Sequence, residues 1–453
     1  MKNPSFLKQS LNVISRVRQT ASVAGLAALR IAKGEPLDAL LLKETFEQLG
    51  TTYIKIGQFI ASMPSLFPRA YVEAFQGTLD QTTPLSYAYI EGVLKAELEK
   101  DGKTLEDIFT HIEKSPLASA SIAQVHAATL KNGDAVVLKV QKPNVGTVIQ
   151  TDLGVLYGVS KVFEWLTPSV KFASLAPIVD EIRLRMMDET NFIKEAHNIE
   201  EFQRFLAKTH NTQVVAPQVY PEFSTQKVLV MQRLYGVSMV DVDAMRRYCK
   251  DPAQVMADTL NTWFASLMLS NSFHADLHAG NLMLLHDGRI GFIDFGIVGN
   301  LDPKAWQACM GMMESFGRED YDGMARHMID MGMTHGHDKV NVTVLANDLR
   351  KMMGVIFSED SFVKDGFAGK TLNNPPSLAS TAKDHADELN KMMLEIVEVG
   401  KRHGIRFPRD FALLTKQMLY FDRFMKTLAP DMDMFHDARI QMAKWFFGIF
   451  NAL

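Results

Sequence analysis

The sequence predicts an α+β fold, with a small strand-bearing lobe, a large helical lobe and a helical extension in front. Three observations predict it. Strand-like runs are read between Ala118 and Ile293. Runs with helical spacing flank them, from Leu37 to Leu98 and from Pro303 to Leu428. Two signatures of phosphoryl-transfer chemistry stand in order between Phe273 and Gly296.

The first signature is His274-Ala275-Asp276 followed by Asn281, which has the spacing of a kinase catalytic loop. The second is Asp294-Phe295-Gly296, the D-F-G that follows such a loop. Asp276 is read as the residue that orients an attacking hydroxyl or water. Asn281 and Asp294 are read as the ligands of Mg²⁺ on ATP. Leu282 to Leu285 and Arg289 to Ile293 are expected to form a hairpin turned at His286-Asp287-Gly288. A hairpin with solvated carboxylates is the plainer alternative. The ordered pair of signatures favours a two-lobed protein-kinase-like fold.

The chain has 453 residues, enough for two or three domains. Its boundaries are read as a basic amphipathic segment at 1–34, a helical extension at 35–110, a kinase-like small lobe at 111–235 and a helical large lobe at 236–453. Hydrophobic residues at 47% and charged ones at 22% are those of an ordinary soluble protein. A net charge of −4 gives no general attraction to nucleic acid. Cys249 and Cys309 stand far apart, so zinc and disulfides are not expected. A metal cluster of His126, His274, His278 and His286 ranks below the kinase reading. No run reaches the roughly 18 to 20 apolar residues that cross a bilayer. The expected location is cytoplasmic or peripheral to a membrane, and mitochondrial if the source is eukaryotic.

The first 34 residues carry Lys2, Lys8, Arg16, Arg18, Arg30 and Lys33 and no acid. Three readings are open: a helix on an anionic membrane surface, a helix packed on the next domain, or a transit peptide. Leu37 to Ser62 is expected as one long helix ending near Lys55-Ile56-Gly57-Gln58. A glycine there costs about 1 kcal/mol against alanine, which points to close backbone approach or function. Tyr71 to Leu79 and Tyr87 to Leu98 are read as the next helices.

Asn132-Gly133 predicts a two-residue type I′ hairpin returning through Ala135 to Val140. Lys139 lies inside that apolar strand, where an ammonium needs anions. This is the position of a kinase lysine that meets the α- and β-phosphates. Ala118, Ser119, Ala120 and Ser121 stand where a Gly-rich loop is expected. That substitution predicts a stiffer loop, with Ser119 and Ser121 able to supply hydroxyl contacts. Ile178 to Phe205 is read as one helix, on which Glu189 and Glu195 project about 120° apart. Glu195 is the candidate partner of Lys139, and Glu189 that of Lys55. Lys227 to Met231 is read as the last small-lobe strand. Gln232 to Gly236 follows as a hinge, so Met231 and Gln232 are adenine-side candidates.

Asp251 to Leu269 and Pro303 to Phe316 are read as helices. The second follows Gly296 so soon that little room remains for an activation segment. Tyr321 to Met331, Val340 to Phe357, Pro376 to Arg402 and Pro408 to Leu428 are further helices. A mobile loop is expected at 358–377. The tail Trp445 to Phe450 is read as packing on the large lobe or as a partner or membrane contact.

These residues together resemble the ABC1/UbiB/ADCK family of atypical kinase-like proteins. Lys55-Ile56-Gly57-Gln58 is similar to its K-x-G-Q signature. Ala118 to His126 is similar to its Ala-rich loop, and Lys194-Glu195-Ala196 carries its helix glutamate. The resemblance implies ATP binding and hydrolysis with Mg²⁺, coupled to lipid-like quinone precursors at a membrane. It also implies quinone-biosynthesis proteins as partners, and a K-x-G-Q lysine paired with the first acid of an E-x-D motif. That motif reads Glu189-Thr190-Asn191 here, and the hinge reads Met231-Gln232 where many relatives have Met-Glu. Hydrophobic C-terminal spans of some bacterial members are not read in this chain, so a shorter, soluble or peripheral relative is expected. Three functions remain in view: an ATPase or kinase-like enzyme of isoprenoid-quinone or lipid metabolism, a phosphotransferase with a protein or small-molecule acceptor, and a nucleotide-gated lipid-binding scaffold.

Overall fold

The computed structural model describes residues 38–61, 69–75, 84–166, 175–270, 272–334, 340–356 and 395–429, with scattered positions outside these ranges. Most of 1–34 and all of 358–377 and 445–453 therefore lie outside the described residues, as does 376–394 of the helix expected to Arg402. By its contacts the chain divides into two units, Met1–Glu200 with Gln218–Arg233, and Glu201–Pro217 with Leu234–Leu453.

The first unit opens with helices α1 (Ala39–Leu49), α2 (Thr51–Ala61), α3 (Arg69–Phe75), α4 (Tyr87–Leu98) and the single turn α5 (Leu105–Ile108). The one long helix expected from Leu37 to Ser62 is two. Gly50, at φ +88°, ends the first and turns its N–H back to the Phe46 carbonyl at 3.1 Å. Only glycine takes that backbone region cheaply.

Strands β1 (Phe109–Ile112), β2 (Ala118–Ser119), β3 (Ala123–Leu130) and β4 (Ala135–Gln141) follow. Strand β5 (Val214–Val215) belongs to the second unit, and β6 (Val228–Gln232) completes the sheet of the first. The order is β1-β3-β4-β6, with β2 on β3, and every pairing is antiparallel. Ile90, Leu94 and Leu98 of α4 share one core with Val136, Leu138, Val140, Val228 and Val230. Alternation along β4 then turns Lys139 to the opposite face.

The hairpin between β3 and β4 is not a type I′ turn. Only Gly133 is left-handed, at φ +93°. The Leu130 N–H reaches the Asp134 carbonyl at 2.9 Å, and the Gly133 N–H reaches the Leu130 carbonyl at 3.0 Å. Asn132 instead accepts the Asp134 N–H on its side-chain oxygen at 3.0 Å, which fixes a wider turn.

Helices α6 (Val145–Leu166), α7 (Leu175–Glu189) and α8 (Phe192–Lys208) follow. The helix expected from Ile178 to Phe205 is thus broken at Thr190-Asn191. Asn191 accepts the Ile193 N–H at 3.2 Å, an N-cap interaction that starts α8. Glu189 and Glu195 therefore lie on different helices, and the 120° offset of a single helix does not apply.

The second unit is mainly helical, with α9 (Val242–Tyr248), α10 (Pro252–Ser270), α11 (Pro303–Gly317), α12 (Tyr321–Met331), α13 (Val342–Ile356) and α14 (Arg409–Leu428). Its strands are β7 (Gly236–Ser238), β8 (Ser272–His274), β9 (Leu282–Leu285), β10 (Ile290–Phe292), β11 (Val298–Asn300), β12 (Met333–Thr334) and β13 (Ile405–Arg406). One sheet runs β5-β10-β9-β7; β8 pairs with β11, and β12 with β13. Trp263, Phe273, Phe292, Phe295, Phe411 and Phe421 are each at most 1% exposed and form its aromatic core. No helix among the described residues is long and apolar enough to cross a membrane.

Candidate active site

Lys139 sits mid-strand, opposite Val125 of β3 and Leu229 of β6. Its ammonium donates to Glu195 Oε1 at 2.6 Å. The two side chains are 12% and 3% exposed. An ammonium in an apolar strand is expensive unless paired, and Glu195 supplies the charge. Glu195 stands in the first turn of α8, where the helix dipole also favours an acid. The ring of Phe192 lies 5.5 Å from the ammonium and closes one side.

Lys55 meets Glu189 at 3.0 Å, with side chains 16% and 20% exposed. Gly57 explains itself sterically: a Cβ there would stand 2.4 Å from the Phe75 ring. Phe75 packs on Phe46 at 5.4 Å between ring centres, so this glycine lets α2 approach an aromatic cluster. The side chain of Gln58 lies outside the described residues.

Ala118 and Ser119 form strand β2, and the chain turns back tightly over Ala120 to Ile122. Ala118 and Ser119 pair with Val125 and Gln124, and the Ala120 N–H reaches the Ala123 carbonyl at 2.9 Å. The Ser119 hydroxyl is buried with no hydrogen-bond partner among the described residues. A buried hydroxyl in that condition suits a ligand oxygen, which fits a phosphate-bearing molecule. Ser121 is 2% exposed. Met231 is buried and Gln232 exposed, and both belong to β6, which runs one residue further than expected. The Gln232 N–H is held by the Gln218 carbonyl at 2.7 Å.

In the second unit, two short ladders pin the H-x-D loop to the D-F-G. On one side His274 pairs with Val298, and the Ala275 N–H reaches the Ile297 carbonyl at 3.1 Å. On the other, Leu282 pairs with Phe292, and the Ile293 N–H reaches the Asn281 carbonyl at 3.1 Å. The spacing between the signatures is therefore the length of one hairpin.

His274 ties the two further. Its Nε2–H donates to the Asp294 carbonyl, and its Nδ1 accepts the Asp276 N–H at 3.2 Å. One donor and one acceptor define the neutral ring. Burial pushes its pKa below the ordinary imidazole value. The Trp263 indole N–H holds the His274 carbonyl at 2.8 Å.

Asn281 donates its amide N–H to the Asp276 carbonyl at 2.8 Å, which turns its amide oxygen to the other side. Asp294 accepts the Gly296 N–H on Oδ1 at 2.9 Å. A carboxylate and an amide oxygen on fixed backbone are the hard oxygen donors that suit Mg²⁺.

Two residues were missed by the reading of the sequence, Lys416 and Gln417 of α14. The Lys416 ammonium donates to Asp276 Oδ1 at 2.7 Å. Gln417 accepts the Leu277 N–H at 2.8 Å and donates to the Leu277 carbonyl at 2.6 Å. A signal was present: Leu413, Leu414, Phe421 and Phe424 mark an apolar stripe, and Gln417 falls in its middle.

In fold and in the chemistry of these residues, the chain is of the kinase-like class. Its family is narrower: a match to the ABC1 atypical kinase-like domain spans residues 78–328, and the chain belongs to that family. It is 43% identical to an aarF domain-containing protein kinase, chloroplastic, of Arabidopsis thaliana, over 90% of this chain and 75% of the plant protein. It is 30% identical to an uncharacterized protein of Mycobacterium tuberculosis, over 91% of this chain and 79% of that one. A probable protein kinase UbiB of Pseudomonas fluorescens is 27% identical over 91% of this chain and 73% of its own length.

Proposed function

We propose that this chain hydrolyses Mg-ATP and couples that turnover to a lipid-like substrate of the isoprenoid-quinone kind at a membrane surface. The observation that carries the ATP reading is the Lys139–Glu195 ion pair at 2.6 Å, held in an apolar strand with both side chains largely buried. Lys139 would meet the α- and β-phosphates, and Glu195 fixes its position. Ser119 offers a buried hydroxyl to the same ligand. Asn281 and Asp294 would hold Mg²⁺, which neutralises charge on the phosphate oxygens.

Asp276 orients the acceptor. In hydrolysis the water oxygen bonds to the γ-phosphorus, and the bond from that phosphorus to the bridging oxygen breaks. ADP keeps the electron pair, and the water proton passes to Asp276 and then to solvent. His274 keeps the loop in place as a neutral ring and moves no proton.

Strand β11 begins two residues after Gly296, and α11 begins at Pro303. A peptide-docking activation segment has no length there, which favours water or a small acceptor. The likeness to proteins named UbiB and the basic segment 1–34 support the quinone and membrane side of the reading.

The test is phosphate release from Mg-ATP by the full chain, with and without anionic vesicles, against Asp294→Asn. Turnover that rises with vesicles and is lost in the variant is the expected result. Turnover unchanged in Asp294→Asn contradicts the ATP reading. Radiolabel passing from the γ-phosphate to a defined acceptor would replace hydrolysis with transfer.

A further inference from the structure

We infer that Lys416 is a positioning residue for Asp276, which makes the C-terminal helix α14 part of the phosphoryl-transfer machinery. The inference rests on the role given to Asp276 above.

Helix α14 buries Phe411, Leu413, Leu414, Phe421, Phe424, Met425 and Leu428. On the same helix Lys416 is 8% exposed and Gln417 is fully buried. Buried polar groups are tolerated only when satisfied. Gln417 is satisfied by the backbone of Leu277, the residue directly after Asp276, through both of its amide atoms. This two-bond clamp sets the height of the loop on the helix. Lys416 is satisfied by the Asp276 carboxylate at 2.7 Å and by the Tyr420 ring, whose centre lies 5.2 Å from the ammonium. The Lys416 side chain is 9% exposed while that of Asp276 is 29% exposed. The lysine is thus the fixed member, and the carboxylate is the one that reaches outward.

A lysine that served packing alone would extend its ammonium to water, as lysines on amphipathic helices do. This one is turned to the residue that must orient the acceptor. With Oδ1 held by the ammonium, the rotation of the Asp276 carboxylate is restrained. Lys416 gives up no proton in this role. It sets the direction of Asp276 and offsets its charge.

The test measures Mg-ATP turnover of the full chain. Lys416→Met should lower kcat by about 100-fold while KM for Mg-ATP stays within about twofold, the pattern of lost transition-state stabilisation. In an Asp276→Asn background the same change should cost less than about twofold, because a residue acting through Asp276 has nothing left to act on. Lys416→Arg keeps a cation and should retain at least about a tenth of kcat. The inference is overturned if Lys416→Met turns over within about twofold of the wild type, or if its loss is equally large in the Asp276→Asn background. Should Lys416→Met fail to fold, a folded Lys416→Arg without turnover overturns it instead. A wild-type chain that releases no phosphate overturns the ATP reading and this inference together. Turnover lost in Asp294→Asn but kept in Lys416→Met overturns the inference alone.

Discussion

Lys139 and Lys416 are both largely shielded lysines paired with a carboxylate at hydrogen-bond distance, yet they arise from opposite local settings. Lys139 interrupts a strand of Val136, Val137, Leu138 and Val140, where any lysine is out of place. Lys416 sits in a helix, where lysine is among the commonest residues. The first pair spans 56 positions of sequence and the second 140. A buried charge is visible in sequence when its own element forbids it, and invisible when its element welcomes it. The two settings also predict unequal energetics. Glu195 is 3% exposed, so losing the Lys139 ammonium leaves a buried carboxylate less compensated, whereas Asp276 at 29% can still reach water.

The largest expected effect follows from that inequality. Lys139→Met should cost about 3–5 kcal/mol of stability in urea unfolding, the range for breaking a buried pair. Adding Glu195→Gln should recover much of it, since the buried carboxylate charge is then removed. Lys416→Met should cost less, about 1–2 kcal/mol, because Asp276 is partly solvated. If the second loss exceeds the first, the ranking of the two regions is wrong.

A smaller effect separates the regions by pH. Each carries a buried imidazole held below its ordinary pKa by desolvation, His126 in the first unit and His274 in the second. A folded-state value below the unfolded one means the unfolded chain binds the extra proton first. The stability from the neutral rings is complete above the unfolded value of about 6.5 and is lost as pH falls through the folded values. The melting temperature should therefore fall between about pH 7 and pH 5, before most carboxylates titrate. His126→Asn should keep only the part due to His274. A melting temperature that does not change across this window contradicts the assignment of both rings as neutral.

Much of the framework was legible because local chemistry dictated it. The H-x-D loop, Asn281 and the D-F-G had fixed spacing, and the structure shows why: one hairpin closes between them. The pairing of Lys139 with Glu195 was legible from a lysine placed inside an apolar strand. What failed was punctuation. Gly50 and Asn191 each break a run whose apolar spacing continues across the break, so periodicity alone joined two helices into one. The Asn132-Gly133 turn misled because the Asn132 side chain binds the Asp134 N–H and keeps Asn132 out of the left-handed region. Asn191 also shows why an amide is tolerated in the E-x-D position, since an N-cap needs an oxygen and not a charge. The Lys416 and Gln417 contacts were out of reach because they join residues 140 apart with no spacing rule between them.

The most direct measurement is the melting temperature of the full chain alone, with Mg-ATP, and with ATP in excess EDTA. A ligand that binds the folded state raises the transition by mass action, by about 2.7 kcal/mol at a hundred times its Kd. A clear rise is expected with Mg-ATP, and a smaller one when EDTA removes the metal that Asn281 and Asp294 would hold. The same melting temperature in all three samples would contradict the ATP reading.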